Sequence, residues 1–527
     1  MAAHVFERPG TYNVSVTASY LTYTTTNGTV QTSVNTATVQ NIQVTVDDPD
    51  VVFAGTKTVC IANNTAAAGS GGCPMGAATP PGTSDFYTAL QGCIGTGKRC
   101  LFKRGDTFVS GTPVTVQTAG PATIGAYGSG ALPVITSTNI TGVLRPSAGV
   151  SDLRIMDLKI TGSGITDTGI GISVMGGVIE KLTILRLTIS GAAGSNIGEG
   201  IIMQSGTRIS NSVIQDSTIS YVGNYVGMGV AIFGGVQFTG IMGNLLGPMT
   251  DGATHTVRLQ NAINTSFTNN TVLQPGVAGM TALTIRALEH LTAPNPDTRY
   301  VYVGDNIIDG GTKSAQIFQI APAGTDQNNW VSDVIVERNR IKFGTVGYQG
   351  FITEGVRITV RNNICDASSG GAASRLCFYV AAGNTVGAPN PSDVRILNNT
   401  CYNGGSNATF YCVFLDADAT KAITGTQVVN NLGYAPSVPT TVMLGVLGTT
   451  VTGTIGGSGT YGNSSSAQMK STNPNFINAS GSFSTPLDFK LPSSNSYAIG
   501  SGIQAPVWSD FFLAPTFSPP DIGAVNH

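Results

Sequence analysis

From about Val150 to Asn431 one phrase recurs along the chain, a short apolar run with alternating side chains closed by a polar pair that ends in Asn. It occurs at residues 240–244 (Gly-Ile-Met-Gly-Asn), 267–270 (Phe-Thr-Asn-Asn), 303–306 (Val-Gly-Asp-Asn), 336–339 (Val-Glu-Arg-Asn), 360–363 (Val-Arg-Asn-Asn), 396–399 (Ile-Leu-Asn-Asn) and 428–431 (Val-Val-Asn-Asn). The Asn residues lie 26, 36, 33, 24, 36 and 32 positions apart. Helical repeats keep a fixed period, whereas a coiled sheet keeps its strands and lets its loops vary. Residues 151–157, 181–186 and 210–216 fill the same place without the Asn, so the coils begin near residue 120 or 150. The count is roughly ten to twelve coils.

Val, Ile and Thr dominate these runs, as five-residue strands with inward β-branched side chains require. Sharp corners between strands need left-handed backbone, which Asn and Gly tolerate best. That accounts for an Asn at a fixed corner and for 68 Gly in 527 residues. Stacked Asn side chains can also bond from coil to coil as a ladder, which makes their role structural. The expected fold is all-β, a right-handed parallel β-helix.

Charged residues make up only 10% of the chain, and 26 basic against 28 acidic residues leave a net charge of −2. No basic field is present to hold nucleic acid. No apolar run reaches the eighteen residues of a membrane-spanning helix. Met1-Ala-Ala-His leads straight into folded-looking sequence without a signal peptide.

The eight cysteines fall by proximity into Cys60 with Cys73, Cys93 with Cys100, Cys365 with Cys377, and Cys401 with Cys412. Neither their spacing nor the positions of His4, His255, His290 and His527 suit zinc. Local disulfides are favoured by loop closure among the 105 connectivities open to eight cysteines. They imply an oxidising location, secreted or at the cell surface. The last two pairs would pin equivalent loops of successive coils.

The ends read as separate modules. Residues 4–17 (His-Val-Phe-Glu-Arg-Pro-Gly-Thr-Tyr-Asn-Val-Ser-Val-Thr) resemble the closing strands of a PKD-type immunoglobulin-like domain. The resemblance implies a partial β-sandwich in residues 1–48, with its other strands before Met1. Asp47-Asp-Pro-Asp reads as a linker, and residues 49–120, with two Cys pairs, as an N-terminal cap and first strands, in which 85–93 forms a short helix over the first coil. The β-helix is expected over 121–465 and a C-terminal cap over 466–527. Residues 473–476 (Asn-Pro-Asn-Phe), 488–491 (Asp-Phe-Lys-Leu), 496–500 (Ser-Tyr-Ala-Ile-Gly) and 520–524 (Pro-Asp-Ile-Gly-Ala) resemble the tail of secreted bacterial β-helix proteins of the pectate-lyase-like group, many of which act on polysaccharides. Trp508, Phe511 and Phe512 are placed to cover exposed core at the solenoid end.

Function on such a rod sits on an outward strand face, where successive coils present side chains about 4.8 Å apart. In residues 255–260 (His-Thr-Val-Arg-Leu-Gln), Val257 and Leu259 point in while Arg258 and Gln260 point out. In residues 282–287, Arg286 points out, and in 316–320 Gln319 does so. Arg258, Arg286 and Gln319 are therefore expected to form one column over three coils. Two stacked guanidinium groups repel unless an anion bridges them, and their planar forks suit the carboxylate or sulfate of an acidic polysaccharide. His255, His290 and Asp251 lie near this column in sequence, Glu354 can enter from a later coil with its facing left open, and Trp330 offers a sugar platform or a loop anchor.

Three chemistries can use this set. A lyase would neutralise a uronate carboxylate with Arg258 or calcium and remove the C5 proton with Arg286 or His255. A hydrolase would need two carboxylates, from Asp251 with Glu354 or Asp305. The β-helix galacturonases carry Asn-Thr-Asp, Asp-Asp and Gly-His-Gly motifs that the coils lack, although Arg340-Ile-Lys resembles part of a fourth. Lyase-type elimination is favoured over hydrolysis. The rival from another class is a non-catalytic adhesin or self-associating filament subunit that uses the β-helix as a stiff rod.

Overall fold

The computed structural model describes residues 5–26, 29–64, 71–138, 142–162, 169–191, 197–203, 207–221, 230–249, 252–287, 298–322, 330–369, 374–382, 390–417, 421–438, 440–447 and 451–454. Towards the C-terminus it describes 474, 476, 485–492, 498–500, 502, 505, 507, 509–514, 516 and 521–527.

One coil shows the plan of all. The strand Val331–Glu337 runs into the corner Arg338-Asn339, and the short strand Arg340–Lys342 leaves it. Gln349–Thr353 forms the third side, and Val356–Arg361 begins the next coil. Equivalent strands pair in parallel from coil to coil, giving three stacks. We call them stack I (entering the Asn corner), stack II (leaving it) and stack III. Stack II contains twelve strands, from Thr107–Ser110 to Leu432–Tyr434, so the right-handed parallel β-helix has twelve coils among the described residues. Its inner column of Ile135, Ile160, Ile189 and Ile219 is fully buried.

The coils begin earlier than residue 121. Thr58–Ile61 already pairs in parallel with Arg99–Lys103, which pairs with Ala119–Tyr127. This region lacks the Asn phrase and carries long Gly- and Pro-rich loops, so its periodicity is faint in the sequence. The short helix expected at 85–93 runs Phe86–Gln91, with the Asp85 carboxylate accepting from Thr88 N at 2.7 Å. It buries Phe86 and Leu90 beside Phe102 and Phe108 in the first coil. The Asp-Asp-Pro-Asp stretch forms a helical turn, Pro49–Val52, capped by Asp48. Ahead of it, Gly10–Thr26 and Thr29–Val46 form a two-stranded antiparallel ribbon.

The corner divides its labour differently from the expectation. The left-handed residue is the one before the ladder Asn: Gly243, Asn269, Asp305, Arg338, Asn362, Asn398 and Asn430 all have positive φ. The Asn that follows does the bonding. From Asn244 through Asn270, Asn306, Asn339, Asn363 and Asn399 to Asn431, each backbone N and each Nδ2 donates to the next Oδ1, at 2.8–3.2 Å. Each Nδ2 also donates to a main-chain carbonyl, as Asn339 does to Val303 O at 2.9 Å. Left-handed backbone costs Arg338 about 1–2 kcal/mol. A bidentate pair with Asp305, at 2.8 and 2.9 Å, offsets that cost.

All four local disulfides are present. Cys365 and Cys401 are register partners in stack II, and each is bridged to stack III, to Cys377 and Cys412. The described tail residues lie along the flank of the last three coils. Ile522, Ala524, Phe476 and Phe489 pack on Ile364, Tyr402 and Leu432, and Ala524 N donates to Thr400 Oγ1 at 2.9 Å. Phe511 joins this cluster, Phe512 is exposed, and Trp508 lies outside the described residues.

Candidate functional site

Arg258, Gln260, Arg286 and Gln319 lie on the outer face of stack III, in a register that corrects the single column. Arg258 pairs with Thr284 and Thr284 with Gln319, whereas Gln260 pairs with Arg286 and Arg286 with Ala321. Arg258 and Arg286 therefore stand in neighbouring columns. Sequence alternation fixes which residues face out but leaves the register along the strand free by two residues, and that is the slip. The groups still converge, because Arg286 Nη2 reaches diagonally to Gln319 Oε1 at 2.9 Å.

A third outward column starts at His255 and continues through Thr281, Gln316 and Gln349. Each strand bends after this position, so that Ala282 and Ile317 turn into the core. Thr281 Oγ1 donates to Gln316 Oε1 at 3.4 Å, and Gln316 Nε2 to Gln349 Oε1 at 3.0 Å. His255 is 7% exposed, with Nδ1 3.2 Å from the carbonyl oxygen of Thr281 and 3.5 Å from Thr284 Oγ1. A carbonyl only accepts, so Nδ1 carries the proton and Nε2 keeps its lone pair. Burial, then the charges of Arg258 and Arg286, push the imidazole down to about 4. At neutral pH it is an uncharged base flanked by two cations.

Burial, with Arg286 next, pulls Arg258 down to about 10, so it remains charged at neutrality. Arg286 is also lowered by burial, against the attraction of Glu354. Arg286 Nε and Glu354 Oε2 are buried without a hydrogen-bond partner. Glu354 is raised to about 6 by burial, opposed by Lys421 and then Arg286. It sits at the corner between stacks III and I, one residue past Thr353. Its carboxyl lies three coil steps from His255, about 14 Å along the axis at strand spacing.

The other expected residues separate. Asp305 is held by Arg338 at the Asn corner, away from the stack III face where a second carboxylate was expected. Trp330 is 47% exposed at the start of a stack I strand, where its carbonyl accepts from Thr298 N, and it lies off the stack III face. Lys342 pairs with Asp309 at 2.6 Å as an ordinary strand ion pair. Asp251 and His290 lie outside the described residues.

The structure adds residues to this face that the sequence reading passed over. Tyr379 Oη donates to Asp416 Oδ2 at 2.5 Å, and Phe414 lies beside both Tyr379 and Tyr411. Strict alternation in Phe378-Tyr379-Val380 and Val413-Phe414-Leu415 marks the aromatic residue as outward, a signal available in the sequence. Among the described residues no group of three His, Cys, Asp or Glu is placed to hold a metal ion. Two guanidinium groups make a poor setting for calcium.

The sequence matches no protein-family model and no curated protein. Solved structures give distant likenesses. One is the A-module of a mannuronan C-5 epimerase from Azotobacter vinelandii, at 14% identity and TM-score 0.43, covering 70% of this chain and 93% of that one. Another is the Dettilon tailspike protein, at 11% identity and TM-score 0.40, covering 66% and 62%. A third is a pectate lyase, at 12% identity and TM-score 0.37, covering 90% and 98%.

Proposed function

We propose that the chain binds an acidic polysaccharide along the outer face of stack III and cleaves it by β-elimination. The observation that carries this reading is the neutral His255, its Nδ1 proton held by a backbone carbonyl, beside the two part-buried cations Arg258 and Arg286. The guanidinium groups would take the uronate carboxylate and so stabilise negative charge developing at C5. His255 Nε2 would remove the C5 proton. The C5–H electron pair forms the C4–C5 double bond and the C4–O4 bond breaks. The imidazolium so formed supplies a proton to the departing oxygen. Gln319 positions Arg286, and Gln260 lines the same face.

A hydrolytic reading has one observation in its favour. Glu354, raised to about 6, has the character of a general acid. Its neighbour Thr353 pairs with Val380, and Ala381 pairs with Asp416, so Asp416 lies two coil steps on. That is about 9.6 Å along the axis, close to the upper carboxylate separation of inverting glycosidases. Elimination is preferred because it uses both cations and the oriented imidazole.

The four disulfides support a secreted or cell-surface location. No helix among the described residues is long and apolar enough to cross a membrane. The ribbon over residues 10–46 is read as part of the PKD-like segment that its Pro-Gly-Thr-Tyr phrase resembles. The test is ultraviolet absorbance of unsaturated uronate with a panel of uronate polymers. Wild type should generate the chromophore on at least one polymer, and Arg286→Ala should lower the rate by about a hundredfold or more. A chromophore formed equally fast by the variant would remove Arg286 from the reaction.

A further inference from the structure

The outer face of stack III changes character along the axis. The column that starts at Arg258, Thr284 and Gln319 continues as Ile352, Tyr379 and Phe414. Tyr379 and Phe414 have ring centroids 5.8 Å apart, and Tyr411 meets Phe414 edge-on at 5.0 Å. All three rings are partly exposed and none belongs to the core. The next coil offers Gly445 beneath them, as the register partner of Phe414. A Cβ at Gly445 would lie 2.5 Å from the Phe414 ring and 2.8 Å from that of Tyr411. The glycine lets the rings lean onto the sheet, and Asp416 fixes the Tyr379 hydroxyl at the edge.

From these observations we infer that Tyr379, Tyr411 and Phe414 form a subsite for an uncharged pyranose of the same polymer whose uronate sits at Arg258 and Arg286. The substrate class is therefore a mixed acidic polysaccharide rather than a pure polyuronate. The inference rests on the acidic-polymer reading above. An aromatic face carries negative potential and attracts the weakly positive C–H bonds on the apolar side of a sugar ring, whereas a carboxylate there would lose hydration and meet the like charges of Asp416 and Glu354 beside Tyr379. The rings stand three and four coil steps beyond the strand of Arg286. Each step is about 4.8 Å, comparable with the rise of one pyranose unit, so a chain laid along the axis presents successive sugars to successive coils.

Binding of the full-length protein to three probes tests this: polygalacturonate (uronate only), hyaluronan (uronate alternating with a neutral amino sugar) and deacylated gellan (uronate among neutral hexoses). Wild type should bind one of the mixed polymers at least about tenfold more tightly than polygalacturonate, a stacking-sized difference. Phe414→Ala should erase that preference by weakening binding of the mixed polymer. Phe414→Leu keeps a large apolar side chain without the ring face, and should erase it too while keeping the wild-type unfolding midpoint. The inference is overturned if polygalacturonate binds as tightly as the mixed polymers, if neither mixed polymer binds, or if both variants keep the preference. Failure of cleavage with the preference intact would instead remove the catalytic reading and leave the subsite standing.

Discussion

His255 shows how one side chain acquires a role from its surroundings. An ordinary imidazole titrates near 6.5, whereas burial and two neighbouring guanidinium groups bring this one to about 4. The acid limb of kcat/KM is therefore expected near pH 4, with no inflection near 6.5, in a pH–rate profile of the free protein. Arg258→Gln should move that limb upward, because it removes a cation that disfavours imidazolium. For stability the sign is set by proton binding. The unfolded His255 binds a proton between pH 6.5 and about 4 that the folded one does not, so this group makes stability fall as pH falls through that window. Glu354, raised from 4.5 to about 6, acts in the opposite sense between those values, its contribution fading as pH rises. Its replacement by Gln should steepen the acid loss of stability, read from denaturation midpoints over that range. The Asn residues were legible as ladder formers but not as the second member of a divided pair. Only coordinates show that the preceding residue, even an Arg, takes the left-handed turn. Asn339→Ala strips Asn306 N of its acceptor and leaves the Val303 carbonyl without its amide donor. It should cost about 1–3 kcal/mol per orphaned group, measured by chemical denaturation.

At the scale of the strand, alternation told outward from inward residues in 255–260 and 282–287, and the structure keeps those facings for Arg258, Gln260 and Arg286. It could not tell which outward residue stands beside which, because sliding a strand by two residues preserves every facing. That is why Arg258 and Gln319 share a column with Thr284 between them, and Arg286 stands alongside. It also could not reveal the bend that turns His255 outward against the alternation. The cysteine pairs were legible because short loops close easily, and two of them tie stack II to stack III on successive coils. Replacing Cys365 and Cys377 together by Ser should lower stability by about 2–4 kcal/mol, measured against wild type under oxidising conditions. The neighbouring bridge would then hold the coil edge that supports Tyr379, so binding on stack III should weaken less than stability does.

Across the whole molecule, a low charge density and a repeated strand with variable loops sufficed to specify a β-helix, and the twelve coils among the described residues fall within the expected range. The first coils were hidden because Gly- and Pro-rich excursions interrupt the repeat between Ile61 and Arg99. The tail was expected to cap the solenoid end, and its outward-facing seat on the coils was not legible. Its described residues lie on the flank of the last coils, where outward Ile364, Tyr402 and Leu432 provide an apolar seat. The long parallel rod supplies what a polymer needs, a straight face with one step per coil. Whether the bond breaks by elimination or by addition of water is decided most directly by product mass after cleavage of a uronate-containing polymer in heavy-oxygen water. Elimination at His255 predicts unsaturated products that carry no heavy oxygen and are lighter than hydrolytic products by one water. Saturated products with one heavy oxygen at each new reducing end would contradict it and place the chemistry on Glu354 and Asp416.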